Sequence, residues 1–227
     1  MTKSAVLAAI ARHRLFAVIR ADSPSQAVAA TRALYAGGVR LLEITVTTPE
    51  ATSAIAQLVD ANLPEAVIGA GSVIDAATAH AVIVAGADFV VSPATVLSVI
   101  ATCNERNLTC LPGAATVSEV VRALEFGGDI VKVFPVGLLG GPKFLKAIRE
   151  PLPDVPLCPT GGVDETNLRD YFAAGALAVG VGGSLVLKAA LRAGDFAALT
   201  AAARKYVALV AETTDSALSA SLRCNLL

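Results

Sequence analysis

Short apolar runs recur at even spacing along the chain, over residues 16–19, 41–46, 66–70, 89–91, 108–111, 130–134, 156–159 and 177–181. Runs of this length, bounded by turn-forming residues, predict eight strands. Between them, helical spacing of apolar positions predicts helices over 25–35, 50–60, 76–84, 96–106, 118–126, 143–149 and 165–173. Strict alternation of strand and helix implies parallel strands joined by right-handed crossovers. Most of the helices run into glycine, as in Ala36-Gly37-Gly38, Ala85-Gly86, Phe126-Gly127-Gly128 and Ala174-Gly175, which suits the left-handed position after a helix C-cap.

Eight such units favour an α/β fold of the closed (β/α)8 barrel type. A doubly wound sheet is the alternative, but it usually has fewer strands and a nucleotide fingerprint. The nearest approach to that fingerprint, Gly69-Ala70-Gly71, has Ile74 where its third glycine should fall. An extra N-terminal helix over 3–14 is placed to cover the bottom of the barrel. The stretch 212–227, rich in Ser, Thr and Ala, receives no assignment.

With 227 residues and 55% hydrophobic composition, the chain is long enough for a single barrel domain, 1–227. Aromatic residues are only 4%, so small and β-branched side chains must fill the core. The formal net charge is −1 with no basic cluster, which leaves a nucleic-acid partner without an electrostatic footprint and points to a small substrate. No apolar stretch reaches the roughly 18 residues of a membrane span, and the N-terminal segment is broken by Arg12, His13 and Arg14. The expectation is a cytoplasmic protein without a membrane partner. Cys103, Cys110, Cys158 and Cys224 form no CxxC pair and His13 lies far from His80, so buried free thiols are expected and a metal site is not.

One residue disturbs the apolar pattern. Lys132 sits inside Ile130-Val131-Lys132-Val133-Phe134-Pro135, and lysine is almost never buried without a partner. Desolvation favours the uncharged amine, the nucleophile that attacks a ketone to form a Schiff base. The strand alone is equally compatible with a lysine snorkelling to water. Alternation along residues 41–46 places Glu43 and Thr45 opposite Leu42 and Ile44, so Glu43 and Lys132 should both face the barrel interior. Together they could form a structural ion pair, or an amine and the proton shuttle that carbinolamine chemistry needs. Arg20, at the end of the first strand, tilts the balance towards catalysis, because its guanidinium can grip the carboxylate of a 2-keto acid.

Barrel enzymes gather their chemistry at the C-terminal ends of the strands. Those ends here carry Arg20, Thr45 and Thr47, Gly71-Ser72, Ser92-Pro93, Pro112-Gly113, Lys132, Thr160-Gly161-Gly162 and Gly182-Gly183-Ser184. The last two glycine pairs, with Ser184 and a following apolar helical turn, would present backbone N–H groups to a phosphate. Each pair on its own also serves a tight turn.

Taken in order, Glu43-Ile44-Thr45, Gly69-Ala70-Gly71-Ser72, Ser92-Pro93, Pro112-Gly113, Lys132-Val133-Phe134-Pro135 and Pro159-Thr160-Gly161-Gly162-Val163 resemble the 2-keto-3-deoxy-6-phosphogluconate (KDPG) and 4-hydroxy-2-oxoglutarate (KHG) aldolase family, over about residues 14–210. The resemblance implies a (β/α)8 barrel, a homotrimer and a class I Schiff-base mechanism without cofactor or metal. It further implies Lys132 as the Schiff-base lysine and Glu43 as the acid/base acting through water. Thr160 and Ser72, the latter replacing the more usual threonine of GAGT, would contact the pyruvyl carboxylate with Arg20, while Phe134 packs on the carbon chain. Pro93 and Thr47 complete the substrate-binding set, and phosphate falls to Gly161, Gly162, Gly182, Gly183 and Ser184. Many members have arginine where this chain has Thr47, which gives Arg20 more of the task. The implied partners are a 2-keto acid and a phosphorylated aldehyde. Alternatives are cleavage of the 6-phosphogalactonate epimer or of KHG, a phosphate-binding barrel isomerase, and a non-catalytic barrel in which Lys132 and Glu43 form a salt bridge.

Overall fold

The computed structural model describes the backbone of residues 1–224 and the side chains of residues 1–213, so residues 225–227 of the unassigned tail lie outside it. Nine strands, β1 Leu15–Ile19, β2 Leu41–Thr45, β3 Val67–Gly71, β4 Phe89–Val91, β5 Thr109–Leu111, β6 Gly113–Ala114, β7 Val131–Val133, β8 Leu157–Pro159 and β9 Val179–Val181, pair in the orders β5-β4-β3-β2-β1-β9 and β6-β7-β8. Every pair is parallel.

The two sheets are arcs of one ring. β5 and β6 are successive halves of a single strand, interrupted at Pro112, whose ring nitrogen has no hydrogen to give. The first half pairs with β4 and the second with β7, while the Pro112 carbonyl still accepts from Lys132 N at 2.9 Å. At the other seam, Thr160 bridges Gly180 and Leu177 N donates to Leu157 O at 2.9 Å, joining β8 to β9. The eight predicted strands therefore close into the predicted barrel, with the fifth one split.

Inward positions on the lower halves of the strands, Phe16, Leu41, Val67, Phe89, Leu111, Ile130, Cys158 and Ala178, pack into one cluster with Val6 and Ile10 of helix α1, Lys3–His13. Two rings, Phe16 and Phe89, meet edge to face at 5.3 Å. Helix α1 starts at Thr2, whose hydroxyl accepts from Ala5 N, and it plugs the bottom of the barrel as its sequence position suggests.

The outer layer is α2 Pro24–Ala36, α3 Ala51–Asp60, α4 Ala76–Val84, α5 Leu97–Glu105, α6 Val117–Glu125, α7 Pro142–Arg149 and α8 Leu168–Ala173. Ser23, Asp75 and Thr116 cap α2, α4 and α6 through the amide three residues on. Helices α9, Lys188–Ala193, and α10, Phe196–Cys224, were not anticipated. Buried Leu199, Ala203, Tyr206 and Val210 recur at helical spacing along α10 and face the outer core. The alanine-rich sequence between them gives little contrast between faces, which hides that period. Helix α10 carries the unassigned tail as far as Cys224.

Candidate active site

Lys132 is the middle residue of β7 and Glu43 the middle residue of β2, and both point into the barrel. Lys132 Nζ stands 3.7 Å from Glu43 Oε1, with the side chains only 7% and 3% exposed. That separation is too long for a good hydrogen bond. Glu43 Oε1 is buried and has no hydrogen-bond partner among the described residues. A buried acceptor in this condition is unusual and leaves a lone pair open to a proton or a water. The ammonium also lies 5.4 Å from the centre of the Phe134 ring.

Above the pair opens a cavity of about 380 Å³, walled by Arg20, Ser72, Pro93, Lys132, Phe134, Thr160, Gly161, Gly162, Gly182, Gly183 and Ser184. The structure thus brings together all the predicted site residues except Glu43, which is buried next to Lys132 without lining the cavity, and Thr47, which is bonded to Arg20. Thr47 Oγ1 accepts from Arg20 Nε at 2.8 Å and lies 2.9 Å from the buried Thr45 hydroxyl. Arg20 is thereby held through Nε, and its terminal nitrogens make no hydrogen bond among the described residues. Ser72, directly after β3, lies in the left-handed region at φ 63°, a conformation serine rarely takes.

The two glycine pairs differ in their reason for being glycine. Gly161 and Gly162 have φ of 84° and 90°, so the backbone itself requires them. Gly182 and Gly183 have no such φ, and a Cβ on either would meet nothing within 4 Å. The packing of the chain does not demand their bareness; it keeps space open at the cavity. Leu185 N and Val186 N both bond to Gly182 O and close a single turn, while α9 begins only at Lys188. The expected helix start is thus one turn, and the amides of Gly183 and Ser184 make no backbone hydrogen bond among the described residues. The Ser184 hydroxyl donates to Val163 O at 2.8 Å and ties the β9 loop to the β8 loop, which leaves the amide rather than the hydroxyl as the free donor.

Three cavity residues were not among the expected site residues: Val18, Asp164 and Val163, the last quoted only as the end of the Pro159–Val163 motif. Alternation from Phe16 could have found Val18. Asp164 Oδ1 accepts from Thr166 N, Thr166 Oγ1 and Asn167 N, an Asx-type turn legible in Asp164-Glu165-Thr166-Asn167. The Thr166 hydroxyl holds the Asp164 carboxyl below the usual carboxylate range. Cys158, the Cα partner of Lys132 on β8, is pushed up to about 12 by burial, partly offset by Lys132. Cys103, Cys110 and Cys158 are free and buried. Among the described residues no cluster of His, Cys, Asp and Glu is placed to hold a metal, and no helix is long and apolar enough to cross a membrane.

The family model for KDPG and KHG aldolase matches residues 6–202. A 2-dehydro-3-deoxy-phosphogluconate aldolase of Treponema pallidum is 36% identical over 205 residues, covering 90% of this chain and 97% of the relative. The KHG/KDPG aldolase of Escherichia coli K12 is 39% identical over 191 residues, covering 84% and 89%. Among solved structures, the KDPG aldolase of Legionella pneumophila, with pyruvate captured at low pH as a covalent carbinolamine intermediate, superposes with a TM-score of 0.81 at 33% identity, over 87% of this chain and 95% of that one. With matches of this extent over the whole barrel and its strand ends, the chain belongs to the KDPG and KHG aldolase family.

Proposed function

We infer that the protein is a class I aldolase, a lyase that reversibly cleaves KDPG into pyruvate and D-glyceraldehyde 3-phosphate through a Schiff base on Lys132. The observation that carries this reading is the buried pair of Lys132, which lines an open cavity, and Glu43 beside it. An amine must shed a proton to attack, and the unpartnered Glu43 Oε1 is the acceptor in reach. Lys132 adds to the C2 ketone to give a carbinolamine, and Glu43, through water, delivers the proton with which hydroxide leaves as water. The resulting iminium accepts the electron pair of the C3–C4 bond as Glu43, again through water, takes the C4 hydroxyl proton. The aldehyde departs, the enamine is protonated at C3, and hydrolysis frees the lysine and pyruvate. Every step uses groups of the chain and water.

Arg20, oriented by Thr47, grips the pyruvyl carboxylate together with Ser72 and Thr160, while Phe134 and Pro93 pack against the carbon chain. The phosphate sits on the amides of Gly183 and Ser184, in the space left by Gly182 and Gly183 beside Gly161 and Gly162. We place the enzyme in the cytoplasm as a homotrimer. Ile74, Leu97, Val117 and Leu138 support the assembly, since these apolar residues, two in loops after β3 and β7 and two at the starts of α5 and α6, are 62%, 54%, 40% and 89% exposed.

Relative kcat/KM on KDPG, its galactonate epimer and KHG tests the substrate assignment. The highest value is expected on KDPG. A higher value on KHG would move the physiological reaction to pyruvate and glyoxylate with the same chemistry at Lys132.

A further inference from the structure

We propose that Gly71 is a positioning residue for the reaction, the bare site on β3 that lets the Glu43 carboxylate stand against Lys132. The proposal rests on the reading of Glu43 as proton relay. β3 pairs with β2 in the register Glu43 with Gly69 and Thr45 with Gly71, and its inward positions are Val67, Gly69 and Gly71. A Cβ on Gly71 would lie 1.9 Å from Glu43 Oε1, 2.6 Å from Cδ and 2.7 Å from Cγ. No heavy atoms approach so closely without bonding, so the carboxylate occupies the volume that any other residue at 71 would fill.

The backbone does not ask for glycine here, because φ at Gly71 is outside the left-handed region. The carboxylate does. Glu43 Oε1 has no hydrogen bond to fix it, so its place is set by the walls around it and by the charge of Lys132 at 3.7 Å. One of those walls is the Gly71 α-carbon. An alanine at 71 would displace the Glu43 side chain from Cγ outward, and its three nearest neighbours include no backbone atom.

Gly69, two residues earlier, offers the contrast. A Cβ there would lie 2.4 Å from the Phe89 ring, which packs against Phe16 in the barrel floor. A rigid ring in a packed layer has nowhere to go, so Gly69→Ala attacks the fold. The two inward glycines of Gly69-Ala70-Gly71 thus serve different ends, one the core and the other the active site.

The test compares Gly71→Ala, Glu43→Gln, Glu43→Ala and the Gly71→Ala/Glu43→Ala double variant for kcat, KM, thermal midpoint and borohydride trapping of pyruvate. Gly71→Ala is expected to fold with a near-native midpoint and to keep KM within about twofold, while kcat drops about a hundredfold, the scale of general acid–base catalysis. Glu43→Ala removes all three atoms that a methyl group at 71 would meet, so in that background Gly71→Ala should cause no further loss of kcat, although each change alone slows the wild type. Wild-type turnover by Gly71→Ala, or losses that simply multiply, would overturn the proposal. Wild-type turnover by Glu43→Gln would overturn the relay reading and this inference with it, whereas a crippled Glu43→Gln beside an unimpaired Gly71→Ala would overturn only the inference. Should Gly71→Ala not fold, the double variant is expected to fold; if neither folds, the clash is not with Glu43 and the proposal fails.

Discussion

Lys132 Nζ and Glu43 Oε1 face each other at 3.7 Å inside a barrel whose interior is otherwise largely apolar. Two charges taken out of water hold each other there, and removing one partner from such a pair typically costs about 3–5 kcal/mol because the other is left uncompensated. Lys132→Met is therefore expected to lower unfolding stability on that scale. Adding Glu43→Gln should return part of the loss, which denaturant unfolding of the two singles and the double variant would read as a non-additive cycle. Strictly additive losses would mean that the two groups do not interact in the folded protein.

Thr47 makes no direct claim on the cavity and acts through Arg20, whose Nε it fixes at 2.8 Å. Loss of one such hydrogen bond is worth about 1 kcal/mol. Thr47→Ala should raise KM for the 2-keto acid about fivefold with kcat little changed, as measured by steady-state kinetics. Thr47→Ser, which keeps the hydroxyl, should stay near the wild type.

The turn after β9 gives the phosphate prediction. Ser184→Asp places a carboxylate beside the amides of Gly183 and Ser184, and like charges in contact are repelled by several kcal/mol. KM for the phosphorylated substrate should rise about a hundredfold, while pyruvate alone still forms its adduct with Lys132. An unchanged KM would remove the anion site from this turn.

The sequence disclosed the framework better than the fittings. Apolar runs and glycine stops revealed eight strands because each strand is buried on both faces and each crossover helix is short. Pro112 divides the fifth strand between two neighbours, which no local pattern predicts, since the division depends on β4 and β7 arriving on opposite sides. Helix α10 stayed hidden because alanine fills both its buried and its exposed positions. Within the site, the inward lysine and glutamate were legible from alternation alone. The need for glycine at 71 was not, because it arises from the register of β2 on β3, a relation between residues 28 positions apart in the chain. The same holds for the tie between Arg20 and Thr47, and for the Ser184 hydroxyl turned towards Val163.

Cys158 yields a pH dependence. Its thiol is pushed from 9.0 up to about 12 in the folded protein, chiefly by burial. Below pH 9 the folded and unfolded chains both carry the neutral thiol and the group has no pH effect. Between pH 9 and about 12 only the unfolded chain loses the proton, so the unfolded state binds fewer protons and stability falls as pH rises. Cys158→Ala should lessen that alkaline loss relative to the wild type, as followed by denaturant midpoints across the range. An identical slope in both proteins would contradict the buried neutral thiol.

The most direct test of the whole account is borohydride reduction in the presence of pyruvate, followed by peptide mass spectrometry of the wild type and Lys132→Met. A reduced pyruvyl adduct on Lys132 is expected in the wild type and should disappear in the variant. No adduct in the wild type, or an adduct on Lys143 or Lys146 instead, would contradict it.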